Sequence, residues 1–309
     1  MYYKGMNISI GVVGNGFVGS SVVHGFNHHV KSVKVFDKDP ARRSHSLEET
    51  LKQDIVFVCL PTPMSLSNEG KCDLSIINSF FEEVLGLYDK SSPPCTFVIK
   101  STVPVGTTRE LKKRYQGARI LHSPEFLTAR TALLDFITPS RNIIGYPKGY
   151  YDEKSDIPKE VVKLFEKRFP GVKTILIDSD SSEMIKYVAN CFFATKISYF
   201  NEVKLICDKL KLNYNKILEG VLSDGRIGIS HYQVPGHDGK AGFGGTCFPK
   251  DINSFINLMK ANGVDPNVLE AAWKTNISVR PEKDWENFSA AVSSGTNEFD
   301  ISGCGHDHT

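Results

Sequence analysis

The sequence predicts an α/β protein in which a doubly wound parallel sheet fills the first half and a mainly helical domain the second. Three observations carry this. From about residue 8 to residue 177, short apolar runs without period-two alternation recur between helix-like segments, as strands buried on both faces do. A glycine-rich turn, Gly14-Asn15-Gly16-Phe17-Val18-Gly19, joins the first run to the first helix. After Asp180 the apolar runs stop and a long helical period begins.

Strands are expected at 8–13, 33–36, 55–59, 96–99, 119–121, 142–144 and 173–177, with helices such as 18–26, 76–87 and 161–168 between them. Such alternation builds a parallel sheet covered on both faces. Asp180-Ser181-Ser182-Glu183 has the pattern of a capping box. It opens a helix to about residue 212, with Ile185, Val188, Phe192, Tyr199, Val203, Ile206 and Leu210 on one stripe. Further helices are expected at 216–222, 252–262 and 267–275. The expected organisation is a sheet domain over 1–178, a helical domain over 179–280, and a polar, flexible tail over 281–309.

Composition narrows the function classes. The 309 residues are 40% hydrophobic and 23% charged, an ordinary globular balance for about two domains. A net charge of +2 without a long basic run gives no nucleic-acid groove. No apolar stretch approaches a membrane span, and the first residues do not form a signal peptide. Seven cysteines without a CxxC pair point to reduced thiols in a cytoplasmic compartment. The tail segment from Cys304 to His308 supplies no closed ligand set, so no metal is expected.

Two motifs carry chemistry. In the glycine turn, Gly14 permits the tight bend, Gly16 lets a pyrophosphate approach the backbone, and Gly19 lets helix and strand pack closely. Asp37 ends the second strand and is placed for the ribose hydroxyls of NAD. Arg42 and Arg43 keep NADP open as the alternative. The second motif is Gly242-Phe243-Gly244-Gly245-Thr246-Cys247-Phe248-Pro249-Lys250-Asp251. It sets a thiol at a loop-to-helix junction, where the helix N-terminus favours thiolate. Taken alone it fits either a nucleophile or an inert packing cysteine.

These motifs occur in order with Leu60-Pro61-Thr62-Pro63, the segment from Lys100 to Gly106, Ser123-Pro124-Glu125-Phe126-Leu127 and Lys186-Tyr187-Val188-Ala189-Asn190. Together they resemble the UDP-glucose/GDP-mannose dehydrogenase family over about residues 6–280. The resemblance implies a Rossmann-like first domain, NAD as cofactor, and four-electron oxidation of a sugar-nucleotide alcohol to a carboxylate, with UDP-glucose as the first candidate. The uronate product would feed surface polysaccharide. By resemblance Cys247 is the nucleophile, adding to an aldehyde to give a thiohemiacetal and then a thioester. Lys186 and Asn190 contact the reacting oxygen, and Asp251, Thr102 and Glu125 assist proton transfer. Gly14, Gly16, Phe17, Val18, Gly19, Asp37, Thr62, Thr102 and Lys250 hold the cofactor. Glu125, Phe126, Leu127, Lys186, Asn190, Arg226, Tyr232 and Gly244 hold the substrate, Arg226 by reaching across a homodimer formed through the helix that starts near Ser182.

Two departures stand out. Ala129 replaces a cofactor-contacting carboxylate of the family, and only about 30 residues follow Arg280, too few for the family's third domain. The expectation is either a short form or a truncated chain. Alternatives are a dehydrogenase of GDP-mannose or a UDP-N-acetylhexosamine, a two-electron β-hydroxy-acid dehydrogenase, and a non-catalytic NAD-binding partner subunit.

Overall fold

In the computed structural model, which describes residues 6–88 and 95–293, the chain opens with β1 (Met6–Val13), α1 (Phe17–Phe26) and β2 (Val30–Phe36). α2 (Leu47–Leu51) follows, capped by Ser46 and Glu49 in a reciprocal capping box. After β3 (Ile55–Val58) come the two-residue strands β4 (Met64–Ser65) and β5 (Lys71–Cys72), then α3 (Ser75–Gly86) and β6 (Thr96–Ile99). α4 (Thr107–Arg114), β7 (Arg119–His122), α5 (Ala132–Ile137), β8 (Asn142–Tyr146), α6 (Asp156–Arg168) and β9 (Thr174–Asp178) complete the alternating half. The helical half holds α7 (Ser179–Lys209), α8 (Tyr214–Leu222), α9 (Phe248–Ala261) and α10 (Asn267–Val279), and ends in β10 (Val292–Ser293).

The predicted strands join one seven-stranded sheet in the order β2-β1-β3-β6-β7-β8-β9. All pairings are parallel except β7–β8, which meet antiparallel at His122 and Gly145. β3 and β6 are buried at every residue, which is why their sequences lack alternation. One face is covered around Phe26, Phe57, Phe136, Phe165 and Phe169, the other around Phe80, Phe81 and Phe97. Strand order reverses between β1 and β3, so the turn after β1 lies at the topological switch point where such sheets bind ligands.

Residues through Thr62 together with Leu74–Lys186 form one compact unit. Pro63–Asp73 and the chain from Tyr187 onward form the other. The expected boundary at 178 therefore falls short. The first turns of α7 bond into the sheet unit, Ser182 Oγ lying 2.8 Å from His122 Nδ1. The expected capping box is also corrected. Asp178 caps α7, accepting from the Ser181 N–H and hydroxyl at 2.9 and 2.8 Å. Glu183 turns instead to α4, accepting from Gly106 N, Thr108 N and Thr108 Oγ1 at 2.6–2.8 Å. Burial pushes its carboxyl up to about 7, the three donors pulling the other way.

In the second unit Cys191, Ala194, Phe243, Ile252 and Ile256 form one core, and Phe200, Cys207, Tyr214 and Leu218 another. A flexible tail from residue 281 does not hold over 281–293. Trp285 is buried against Met64 and Val292, and β10 pairs with β4 in a small sheet ordered β10-β4-β5. The Cys304–His308 segment lies outside the described residues.

Candidate active site

The glycine turn fits a dinucleotide on the structure's own terms. Gly14 has φ +86°, and a Cβ there would lie 2.4 Å from Cys59 O. At Gly19 a Cβ would lie 1.9 Å from Gly14 O, so strand and helix can approach only without one. Gly16 has nothing within 4 Å of its Cβ position, which leaves the face toward a ligand open. It provides no side-chain cap for α1, whose first N–H groups suit phosphate oxygens. Asp37 is buried at the end of β2 and accepts from Asn15 N at 2.6 Å and Asp39 N at 2.9 Å. The same carboxylate thereby shapes the turn and retains acceptor capacity for a ribose. Phe17 is half exposed beside Val18 at the start of α1. Thr62 Oγ1 donates to Thr102 O at 2.6 Å, tying together the loops that follow β3 and β6. Ala129 opens an exposed 3-10 turn, so no carboxylate stands at that position.

Glu125, Phe126 and Lys186 meet within the sheet unit. Lys186 Nζ donates to Glu125 Oε1 at 2.8 Å and to Glu125 O at 2.7 Å, and lies 5.6 Å from the Phe126 ring centroid. Leu127 N donates to the other carboxylate oxygen at 2.7 Å. Lys100, which follows β6, donates to Ser123 Oγ at 3.2 Å and Pro124 O at 3.1 Å. All three charged side chains are at most 9% exposed. Burial raises the Glu125 carboxyl, but the Lys186 charge, the Leu127 N–H and Lys100 outweigh it and hold the group below its ordinary range. The groups Lys100 donates to are neutral, and burial lowers it to about 8 although the charges of Cys59 and Glu125 pull the other way. Lys100, Glu125, Phe126 and Leu127 line a cavity of about 230 Å³ together with Phe136, Arg141 and Phe165, whereas Lys186 lies outside its lining.

Asn190, Asp251, Lys250 and Cys247 meet within the second unit. Cys247 is exposed at the N-cap of α9, with Pro249 just inside the helix. Asp251, 1% exposed, accepts from Asn190 Nδ2 at 2.6 Å and pairs with Lys250 Nζ at 2.6 Å. Burial alone would lower Lys250, but the charges of Asp251 and Cys247 outweigh it and raise it. Although Lys186 and Asn190 are i,i+4 on α7, they serve different partners, Glu125 and Asp251. Tyr232 borders a separate cavity of about 730 Å³ between α8 and the 232–235 loop, its carbonyl accepting from Tyr214 Oη at 2.9 Å. Arg226 is 89% exposed and pairs with Asp224. Gly244 packs against protein: a Cβ there would meet Arg280 Nη2 at 2.5 Å. Sequence reasoning gave no role to Lys100, Asn276 or Arg280, and cast Glu183 as a helix cap. For Lys100 a signal existed, a lysine directly after the apolar run 97–99.

Comparison with known proteins decides the family. Residues 42–166 match the NAD binding domain of the UDP-glucose/GDP-mannose dehydrogenase family, and residues 180–278 match its central domain. The chain belongs to this family. Its first domain is thus an NAD-binding domain, and NAD is the cofactor. The chain is 31% identical to UDP-glucose 6-dehydrogenase of Rickettsia typhi, covering 89% of this chain and 68% of that protein. It is also 31% identical to the Rickettsia conorii enzyme of that name, covering 88% and 66%. The chain thus spans about two thirds of the length of these relatives. Among solved structures it resembles a UDP-glucose dehydrogenase from Pyrobaculum islandicum, with TM-score 0.73 and 26% identity over 90% of this chain and 70% of that one. A GDP-mannose dehydrogenase of Pseudomonas aeruginosa shares the fold at TM-score 0.61 and 21% identity, covering 87% of this chain and 68% of that one. No described helix is long and apolar enough to cross a membrane.

Proposed function

We propose that this chain carries out the NAD-dependent four-electron oxidation of UDP-glucose to UDP-glucuronate. The observation that carries the reading is the thiol of Cys247, exposed at the start of α9 with Lys250 and Asp251 in the next turn and Asn190 bonded to Asp251. Relatives named UDP-glucose 6-dehydrogenase support the substrate.

NAD, when bound, supplies the hydride acceptor for both oxidations. Lys186 donates to the C6 oxygen as negative charge develops there, and Glu125 exchanges the proton. Thr102 would offer its hydroxyl to the cofactor. Cys247 Sγ then bonds to the aldehyde carbon, giving a thiohemiacetal whose carbon can still lose hydride. After that second oxidation a water adds to the thioester carbonyl. The C–S bond breaks, the carboxylate is released and the thiolate is restored. Asn190 and Asp251 orient the oxygen and the water in these steps. Phe126 and Leu127 offer backbone to the sugar nucleotide, with Tyr232, Gly244 and Arg226 lining its path. Lys250 contacts the cofactor.

The proposal includes a homodimer. Val188, Phe192, Tyr199 and Ile206 on α7, and Leu210 just after it, are each more than half exposed and leave an apolar stripe that a second copy would cover. Sedimentation of a Phe192→Glu/Tyr199→Glu variant as a monomer is the expected result.

The deciding assay counts NADH per sugar nucleotide, with GDP-mannose and UDP-N-acetylmannosamine as competing substrates. Two NADH per UDP-glucose is expected. Absence of NADH with every sugar nucleotide would reject the enzyme reading, and one NADH per substrate would reject the thioester route.

A further inference from the structure

The loop that carries Cys247 is held from one side by Asn276 of α10 and by Arg280 at the C-cap of that helix. Asn276, fully buried, accepts from Phe243 N at 2.7 Å and donates to Phe243 O at 3.0 Å, so one amide satisfies both backbone groups of one residue. One helical turn on, Arg280 is 2% exposed. Its guanidinium grips Asp284 with two bonds, at 2.6 and 2.8 Å, and donates to Asp238 Oδ2 at 2.6 Å and Ala241 O at 3.2 Å. The backbone fits these groups closely. A Cβ on Gly242 would lie 2.4 Å from Asn276 Oδ1, and one on Gly244 2.5 Å from Arg280 Nη2. Gly242 and Gly244 are thus required by the protein beneath them, whereas a Cβ on Gly245 would meet nothing within 4 Å. Asn201 Oδ1 completes the set, accepting from Gly242 N at 3.0 Å.

We infer that Asn276 and Arg280 are positioning residues, which fix residues 242–245 and through them set Cys247 at the N-terminus of α9 beside Lys250. A buried arginine with two carboxylates and a carbonyl is a rigid support. A nucleophile displaced by a fraction of an ångström loses much of its effectiveness. The inference rests on Cys247 being the nucleophile, and its test reads the thiol separately from turnover.

The test is the alkylation rate of Cys247 by iodoacetamide at fixed pH, read by peptide mass mapping, in Arg280→Gln, Gly244→Ala and the double variant, with circular dichroism confirming the fold. Both single variants are expected to slow alkylation at Cys247 by about fivefold or more, because the thiol leaves the field of the helix end and Lys250. The double variant is expected to be no slower than Arg280→Gln alone. The nearest groups the added methyl meets are the guanidinium and the Asp284 carboxylate that it holds, at 2.5 and 2.6 Å, and removing the guanidinium takes away the first and releases the second. In turnover, kcat falls by about tenfold while the KM for NAD stays within twofold. Gly244→Ala keeps every charge and carries the test if Arg280→Gln fails to fold. A folded single variant with a Cys247 rate within twofold of the parent, or faster, overturns the inference, as does strict additivity in the double. A parent protein that alkylates normally but makes no NADH rejects the proposed function instead.

Discussion

At Glu125 one carboxylate and two lysines are sealed from water, whereas at Cys247 the reactive atom is exposed and only its supports are buried. The first centre holds its charges in mutual balance: Lys186 pairs with Glu125, and Lys100, bonded to neutral acceptors and only partly offset by the Glu125 charge, carries the desolvation cost in its own lowered affinity for a proton. The second puts its charge balance one turn behind the thiol, where Asp251 meets Lys250 and Asn190. A proton-handling group benefits from a dry, fixed environment, since its basicity is set there. Under the proposed function the thiol has to reach a carbon, which fits its place at a surface with its supports buried. Mutations should therefore separate chemistry from stability at one centre and fail to separate them at the other.

The largest effect expected is at the thiol. Cys247→Ser should lower uronate formation by on the order of 10⁴-fold or more. Its melting temperature should stay close to the parent's, because an exposed side chain is replaced by a near-isostere. Mass spectrometry of the product and a melt check both. Uronate formed at a rate comparable to the parent's would show that the second oxidation does not use this sulfur.

Lys186→Ala should lose activity and stability together. Removing one partner of a buried ion pair leaves the other charge uncompensated, at a cost of about 3–5 kcal/mol. The pair qualifies, at 3% and 9% exposure. Denaturant unfolding measures the loss, and a Lys186→Met/Glu125→Gln double variant should recover part of it. A single-variant loss below about 1 kcal/mol would place the pair in the class of surface bridges and break the contrast between the centres.

What was legible in the sequence follows the same division. The strands could be read because runs such as Ile55–Val58 and 97–99 are apolar without a break, and the glycine turn because its spacing is imposed by steric contact at Gly14 and Gly19. The supports could not. Asn276 meets Phe243 across 33 residues, and Arg280 meets Asp238 across 42, and no local period links them. Glu183 matched a capping pattern but bonds to α4, because Asp178 already caps the helix. Segment 63–73 leaves the sheet unit through strands two residues long, too short to carry any hydrophobic period. Trp285 made 281–293 foldable, yet a single tryptophan among polar residues reads as tail.

The pH response should also distinguish the two lysines. Lys100 has its proton affinity lowered to about 8 in the folded protein, against an ordinary value of 10.5. The folded state then binds fewer protons than the unfolded state between those values, so this group adds stability as pH rises from about 8 to 10.5, up to about 3 kcal/mol. Lys250 is raised instead, so its contribution is complete below 10.5 and is lost only at higher pH. Denaturation of the parent and of Lys100→Met across pH 7–10 isolates the first effect as a difference in slope. Parallel curves would show that the Lys100 ammonium is not desolvated as its 4% exposure indicates.

The smallest structural effect is expected at Arg226, the residue least tied to either centre. Its side chain is 89% exposed, and its pairing with Asp224 lies two residues away on the same loop, where water and salt screen the attraction. Arg226→Ala should leave the melting temperature unchanged within error. Under the proposed function it should still raise the KM for the sugar nucleotide by about tenfold or more, with the KM for NAD unaltered. Arg226 differs from Lys186 because its charge is already solvated, so removing it strands no buried partner. A clear melting shift would mean that this loop is buried in the assembled protein. An unchanged KM would remove Arg226 from the substrate set and leave recognition to residues that the fold holds in place.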